Sequence, residues 1–511
     1  MKRAVLIGGF ALIALCSIGV LGRRPHGPGP KPTSQPPTAA ATPIQRTEPA
    51  PASPGGRLYG QRLLRRRVFG ELTQLVETRQ RRFEESAQDE DALARLLDGF
   101  SVADPALQPL LDEWAIAHPD SLAPRLARAH YWVAVGAARR GAKVSRETTP
   151  EQFAAMREAL SRGVDDARSV LAVNPKLSEA HGVLIAAARF VADPAACIRL
   201  AETGLAAVPG SREIRTALAY CLLPRWGGSY EAVSAVAAEA VGHAEQNPTL
   251  RVLDGFVAYD RGRVAARDRD FDTALSLYGT ALESGEYAPF YLARARVHIW
   301  HKHYGDALAD LDRALALSPE HPGVLLRRAE ALTGLGRDAE ALADIRLASE
   351  LDPTSLDLER FKRFELANAA VQGHQALQAN DLDRALRRLT RAIDLTGGDA
   401  EVFYWRGRAH LRKRAEASAL RDFQAAVEHD PHHFDSYQNL DHLLAKRREW
   451  DTIIANWDRF LQYEPENGKA YLERAGAKRR GGDMRAALVD VRKACDLGVQ
   501  EACGILRRSD G

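Results

Sequence analysis

Residues 288–321 read APFYLARARVHIWHKHYGDALADLDRALALSPEH, and residues 322–355 read PGVLLRRAEALTGLGRDAEALADIRLASELDPTS. Set one above the other, the two stretches align without a gap. Pro319 falls over Pro353, 34 residues away, and Ala295, Ala307 and Ala314 fall over Ala329, Ala341 and Ala348. Apolar residues within each stretch recur at spacings of three and four, the period of an amphipathic helix. Gly and Pro cut the chain into helices of about 10–15 residues. Each stretch therefore reads as two helices joined by a turn, with small residues where the helices touch.

The register extends in both directions. Upstream, 255–287 offers Gly262, Phe271, Ala274, Tyr278 and Ala281. Downstream, 366–399 offers Gly373, Leu382, Ala385, Leu389 and Ala392, and 400–433 offers Phe403, Gly407, Ala419, Phe423, Ala426 and Pro431. The last stretch, 468–503, offers Tyr471, Ala475, Gly482, Ala487, Val491 and Ala494. A 34-residue helix–turn–helix period with these small positions resembles the tetratricopeptide repeat. The resemblance covers 255–503 and implies an all-α fold, a solenoid of stacked hairpins wound into a superhelix. Two departures stand out. Residues 356–365 are extra and should lengthen the helix that opens the next unit. In 434–467 the small positions hold Ile453 and Phe460 with Trp457 between them, so that hairpin should be splayed or bent.

Residues 57–254 are less regular. Pro175 and Pro209 are again 34 residues apart, but Val170 and Gly204 occupy the small position, which reads as degenerate helical hairpins. The run LLPRWGGSYEA at 222–232, with Trp114 and Tyr131-Trp132, resembles an uncharacterised helical domain found ahead of such repeats in Gram-negative bacterial proteins. That resemblance implies no known activity. Residues 504–511 read as the end of a capping helix and a tail.

The N-terminus is read as targeting. Lys2 and Arg3 precede an apolar run over residues 4–21, which suits either a signal anchor or a cleaved signal peptide over 1–22. Residues 23–56 hold the sequence PHGPGPKPTSQPPTAAATPIQRTEPAPASPGG, a Pro-rich tether that cannot bury a core. The expected location is the bacterial inner membrane with a periplasmic body, or the periplasm if the signal is cleaved.

Composition narrows the function. Lys plus Arg total 70 against 67 for Asp plus Glu in 511 residues, a net charge of +3, which argues against a nucleic-acid binder. No G-x-S-x-G, G-x-x-x-x-G-K-[ST], H-E-x-x-H or C-x-x-C motif occurs, so no catalytic residue and no cofactor is assigned. Two histidine groups, His298 with His301 and His303, and His429 with His432, His433 and His442, lack a distinctive ligand spacing and are read as polar helix faces, not metal sites. On one helix, His303 would be rotated by about 140° from His298.

The cysteines carry more. Cys197 and Cys221 lie about equally far on either side of Pro209-Gly210, so an antiparallel hairpin would bring them level, as a bridge or as two thiols. The segment ACDLGVQEAC, with Cys495 and Cys503, resembles a cysteine-rich variety of α-hairpin repeat in secreted bacterial proteins. That resemblance implies a bridge, against the alternative of two small buried thiols.

By the tetratricopeptide pattern, certain first-helix positions line a concave peptide-binding groove. In the later units these are Tyr404, Arg408 and Arg412, then Gln438, His442 and Lys446, then Arg479 and Arg480. The stretch is basic, so the expected function is a non-enzymatic, membrane-tethered scaffold for an acidic peptide or protein segment. Two alternatives stay open: a structural, self-assembling envelope protein forming a homo-oligomer, and an enzyme with an unrecognised site in 57–254.

Overall fold

The computed structural model describes residues 56–85, 90–141 and 147–509. The signal or anchor over 1–22 and all but the last residue of the tether lie outside the described residues. Among the described residues there are twenty-five α-helices and no strand, and no helix is long and apolar enough to cross a membrane.

From residue 256 the helices pair as hairpins in sequence order. They are Phe256–Arg267 with Phe271–Glu283, Ala288–Trp300 with Tyr304–Leu317, and Pro322–Gly334 with Asp338–Leu351. Then follow Leu356–Gln378 with Leu382–Thr396, Ala400–Arg412 with Glu416–His429, Phe434–Lys446 with Trp450–Tyr463, and Gly468–Arg480 with Met484–Asp496. The helix Gln500–Ser509 covers the last hairpin. Each hairpin turns through one left-handed residue, including Lys302 (φ 61°), Gly336 (φ 76°), Arg414 (φ 59°) and Gly482 (φ 97°). That conformation closes the first helix and reverses the chain. The small positions do what their register implies. A Cβ on Gly407 would stand 2.7 Å from the Phe423 ring, so the hairpin 400–433 closes only over glycine.

Both irregularities take physical form. Residues 356–365 join the following helix, which runs 23 residues from Leu356 to Gln378. In 434–467 the two helices stand further apart than in the neighbouring hairpins, and Tyr437, Trp457 and Phe460, all fully buried, fill the gap.

The region before residue 254 is helical, and its core does not stop at that boundary. One apolar cluster runs from Ile185 through Leu253 and Phe256 to Val297. A larger rearrangement involves the first helix, Arg57–Arg65. Leu58 is 1% exposed and packs with Leu325, Leu326, Ile345 and Leu351 of the repeats. Arg57 donates to the Pro319 carbonyl at 2.5 Å and pairs with Asp98 at 2.6 Å. The Gln61 amide donates to the carbonyls of Gly99 (2.6 Å) and Leu351 (2.8 Å), so one side chain joins three distant segments.

Cys197 and Cys221 face each other across the hairpin of Pro194–Ala207 and Arg212–Cys221, with Cα atoms 6.5 Å apart and the sulfurs at bonding distance. The sulfurs of Cys495 and Cys503 are likewise at bonding distance, with Cα atoms 4.8 Å apart, across the Gly498 turn.

Candidate functional site

The repeats are held in register by a ladder of ion pairs. Arg294 donates two hydrogen bonds to Asp310 (2.8 and 2.6 Å), and the same bidentate pair recurs between Arg328 and Asp344, Arg406 and Asp422, and Arg474 and Asp490. Each pair joins the first helix of a hairpin to its second, 16 residues on. All four aspartates are buried. Arg328 and Arg474 also reach back 16 residues to Asp312 (2.9 Å) and Asp458 (2.6 Å), on the preceding hairpin. The planar guanidinium suits this use, since it can fork to one carboxylate and still offer a nitrogen to a second.

The ladder aims the first helices into a groove of about 1050 Å³ spanning three successive hairpins. Its walls come from Ala288–Trp300, Pro322–Gly334 and Leu356–Gln378, with Arg388 and Arg391 added by Leu382–Thr396. Five cations line it, Arg296, Lys302, Arg327, Arg388 and Arg391, against the two carboxylates Glu330 and Glu365. Arg327 is engaged by Glu330 at 2.8 Å and Arg391 by Asp338 at 2.8 Å. Arg296, Lys302 and Arg388 are exposed, and among the described residues none has an ion-pair partner. Burial raises the Glu365 carboxyl above its ordinary range. Trp300 and Phe364 stand in the same groove 61% and 60% exposed, and Leu335 is exposed at its rim. Large apolar side chains left in water beside unpaired cations are unusual for a surface with no partner.

The eight residues chosen by repeat position lie elsewhere, in the later hairpins, and most are engaged within the protein. Tyr404 is buried, and its hydroxyl accepts from Arg408 at 2.7 Å while the Arg408 guanidinium lies over the Tyr404 and Trp405 rings. Arg412 donates to the Leu377 carbonyl, and Gln438 to Glu473 at 2.7 Å. Lys446 pairs with Glu416 at 2.5 Å, and Arg480 lies over Trp450. His442 and Arg479 are exposed.

The histidines also sort differently from their spacing. His303 lies past the end of its helix, so the turn brings it back toward His298. These two and Asp306 place candidate ligand atoms within 4.8 Å of one another. The second group disperses. His432 pairs with Glu464, His433 with Glu401, and His429 stacks near Phe403.

Comparison with known proteins agrees with this architecture. The family described as tetratricopeptide repeat matches residues 292–355 and 371–433, and a domain of unknown function (DUF4034) matches 60–203. The Hsp70-Hsp90 organizing protein 2 of Arabidopsis thaliana is 24% identical over 234 residues, 40% of this chain and 41% of its own length. The corresponding protein of Triticum aestivum is 22% identical over 236 residues, and the match again spans 41% of its length. The chain thus spans about two fifths of the length of these relatives. Among solved structures, YrrB, described as a TPR protein with an unusual peptide-binding site, is 20% identical. It covers 39% of this chain and 95% of its own, with a TM-score of 0.25. The TPR2AB domain of yeast Sti1 in complex with pHSP90 is 17% identical, covering 46% of this chain and 98% of its own, with a TM-score of 0.21. With the period, the hairpins and the family matches in agreement, the chain carries tetratricopeptide repeats over 292–355 and 371–433, and they follow a segment matching a domain of unknown function.

Proposed function

We propose that this protein is a non-enzymatic scaffold whose concave groove at residues 296–392 binds an acidic polypeptide segment carrying an aromatic or aliphatic side chain. Tetratricopeptide repeats mediate protein–protein interaction. The finer reading rests on one observation, the exposed and unpaired Arg296, Lys302 and Arg388 flanking the exposed Trp300 and Phe364. A carboxylate-bearing ligand would meet the cations, and its apolar side chain would cover the two rings. On the repeat pattern, a longer ligand would continue past His442 and Arg479.

Reversing charge with R296E and R388E should weaken an acidic, Trp-containing peptide by about tenfold or more, while helicity and melting midpoint stay nearly unchanged. Fluorescence anisotropy at low salt measures the first and circular dichroism the second. Equal binding by the double variant would remove the groove as the site. Sedimentation showing that the wild type prefers its own copies would favour the self-assembling reading.

We further propose that the body lies on the periplasmic side, held by residues 1–22 through the tether. The two cysteine pairs placed with their sulfurs at bonding distance support this, because disulfides persist in oxidising compartments. In protein recovered from the periplasm, Cys197, Cys221, Cys495 and Cys503 should resist alkylation until reductant is added. The chain-entropy contribution is about 3.5 kcal/mol for the longer loop and about 2.6 kcal/mol for the shorter. Free alkylation of native protein, or a body found in the cytoplasm, would count against the assignment.

A further inference from the structure

A second chamber, of about 1020 Å³, lies between the 57–254 region and the first three repeat hairpins. It is separate from the groove in residues and in chemistry. Its walls include Glu179, Gly182 and Arg189 of the helix Ser178–Phe190, His130 of Ala123–Arg140, and Glu213 of Arg212–Cys221.

Four polar groups in this chamber are not fully served by the protein. Glu179 is 3% exposed, yet its Oε1 has no hydrogen-bond partner, and its Oε2 is 3.6 Å from His130 Nε2, which also lacks one. The Glu213 carboxyl stands against Gly182, where an added Cβ would meet Oε1 at 3.1 Å, and among the described residues no donor reaches it. Arg189 has no carboxylate within ion-pair reach among the described residues, and its Nε is buried without an acceptor. Its guanidinium lies over Phe190, Tyr220 and Trp226 at 5.3, 5.9 and 5.7 Å. Arg95, Arg251 and Glu283 also line the chamber, while three acidic neighbours are satisfied. Asp91 pairs with Arg212, Asp98 with Arg57, and Glu90 accepts from Ser211 and from the Arg212 backbone at 2.8 Å.

Buried polar groups in native proteins are paired, so unpaired ones lining a cavity mark what its occupant supplies. One wall lacks a donor and the other lacks an acceptor. Gly182, against which Glu213 stands, and Arg189 are seven residues apart on one helix, about 10 Å along its axis. An arginine side chain reaching back across part of that length leaves room for a ligand the size of a single amino acid. We propose that this chamber binds an amino-acid-type zwitterion, its ammonium or guanidinium group held by Glu179 and Glu213 and its carboxylate by Arg189. Burial raises the Glu213 and Glu179 carboxyls above the usual carboxylate range and pushes His130 down to about 4, which favours their uncharged forms. A bound cation would draw both carboxyls into their charged form.

The same chemistry could arrive as a free amino acid or as the C-terminal residue of a polypeptide. Calorimetry on the intact folded body, using L-lysine, L-arginine, putrescine, succinate and a short peptide ending in lysine, separates these sources. A lysine-type zwitterion should bind at least about tenfold more tightly than putrescine or succinate, a difference of about 1.4 kcal/mol. Binding of the peptide but not the free amino acids would assign the polypeptide source. Glu179→Gln with Glu213→Gln should weaken lysine and putrescine alike by about tenfold, and Arg189→Met should weaken lysine but leave putrescine unchanged. Circular dichroism on each variant establishes that it is folded. Should the glutamine pair unfold the chain, the Arg189→Met comparison decides by itself. Failure of every amine to bind wild type at about 10 mM overturns the proposal, as does lysine binding that is indifferent to Arg189→Met. The groove variants R296E and R388E should leave this binding unchanged.

Discussion

Replacing Asp344 with alanine should destabilise the hairpin 322–355 by about 3–5 kcal/mol, the cost of removing one partner from a buried ion pair. Asp344 is almost fully buried, and both its oxygens accept from Arg328, at 2.8 and 2.7 Å. Its removal leaves a half-buried guanidinium facing apolar surroundings, with Asp312 as its remaining partner. The control is Asp312→Ala. Asp312 is more than half exposed, so its loss should cost less than about 1 kcal/mol. Hydrogen exchange would localise the effect, because a repeat contacts chiefly its neighbours and can open without the whole chain unfolding. Amides of 288–355 should lose protection in the Asp344 variant and keep it in the Asp312 variant. If both variants lost the same protection, the buried arm of the ladder would have no special role. Replacing both partners, with Arg328→Met and Asp344→Leu, should recover most of the loss, since the apolar pair leaves no buried charge behind.

The second large effect is expected at Leu58. Leu58 is 1% exposed among Leu325, Leu326 and Leu351, nearly three hundred residues away in sequence. Truncating a buried leucine costs about 2–5 kcal/mol, and a buried aspartate at the same place costs more. Leu58→Asp should therefore release the helix Arg57–Arg65 from the repeats. The following Arg65, Arg66 and Arg67 are ready trypsin sites, and two of them are engaged in the docked state, Arg65 with Asp104 at 2.8 Å and Arg67 with Glu113 at 2.6 Å. Limited trypsin digestion should leave the wild type intact at these bonds and cut the variant there first. Equal resistance would mean that Arg57, Gln61 and Arg62 hold the helix without the leucine.

The groove shows why position within a repeat is a weak guide to chemistry. The pattern assigns first helices to the groove side, and the groove at residues 296–392 is lined chiefly by first helices. It does not say which side chains remain available. Lys446 and Gln438 are engaged by Glu416 and Glu473, which lie 30 and 35 residues away, on adjacent hairpins. Arg412 likewise turns to the Leu377 carbonyl. The cations left unpaired, Arg296, Lys302 and Arg388, sit in earlier hairpins, with Glu330 among them in the sequence. Only the packing reveals that Glu330 engages Arg327 and leaves the others alone.

What the amino-acid sequence determined by itself is the hairpin. Its signals are local: apolar period, small residues at a fixed register, a left-handed turn and a proline, all within 34 residues. The lengthened helix at 356–378 and the widened hairpin at 434–467 follow from the same local rules, since extra residues extend a helix and bulky ones part it. The Arg–Asp spacing of 16 was equally regular, at 294 and 310, 328 and 344, 406 and 422, and 474 and 490. It passes unnoticed because a charge on an amphipathic helix ordinarily faces water. Only the tertiary structure decided the rest. The Arg57–Arg65 helix docks on the repeats, and Glu179, Glu213 and Arg189 meet in one chamber. These contacts join segments with no common period, and their formation depends on shape and on the desolvation of particular charges once neighbouring helices have packed. No local pattern encodes that, because a buried glutamate and a solvated one are written with the same letter.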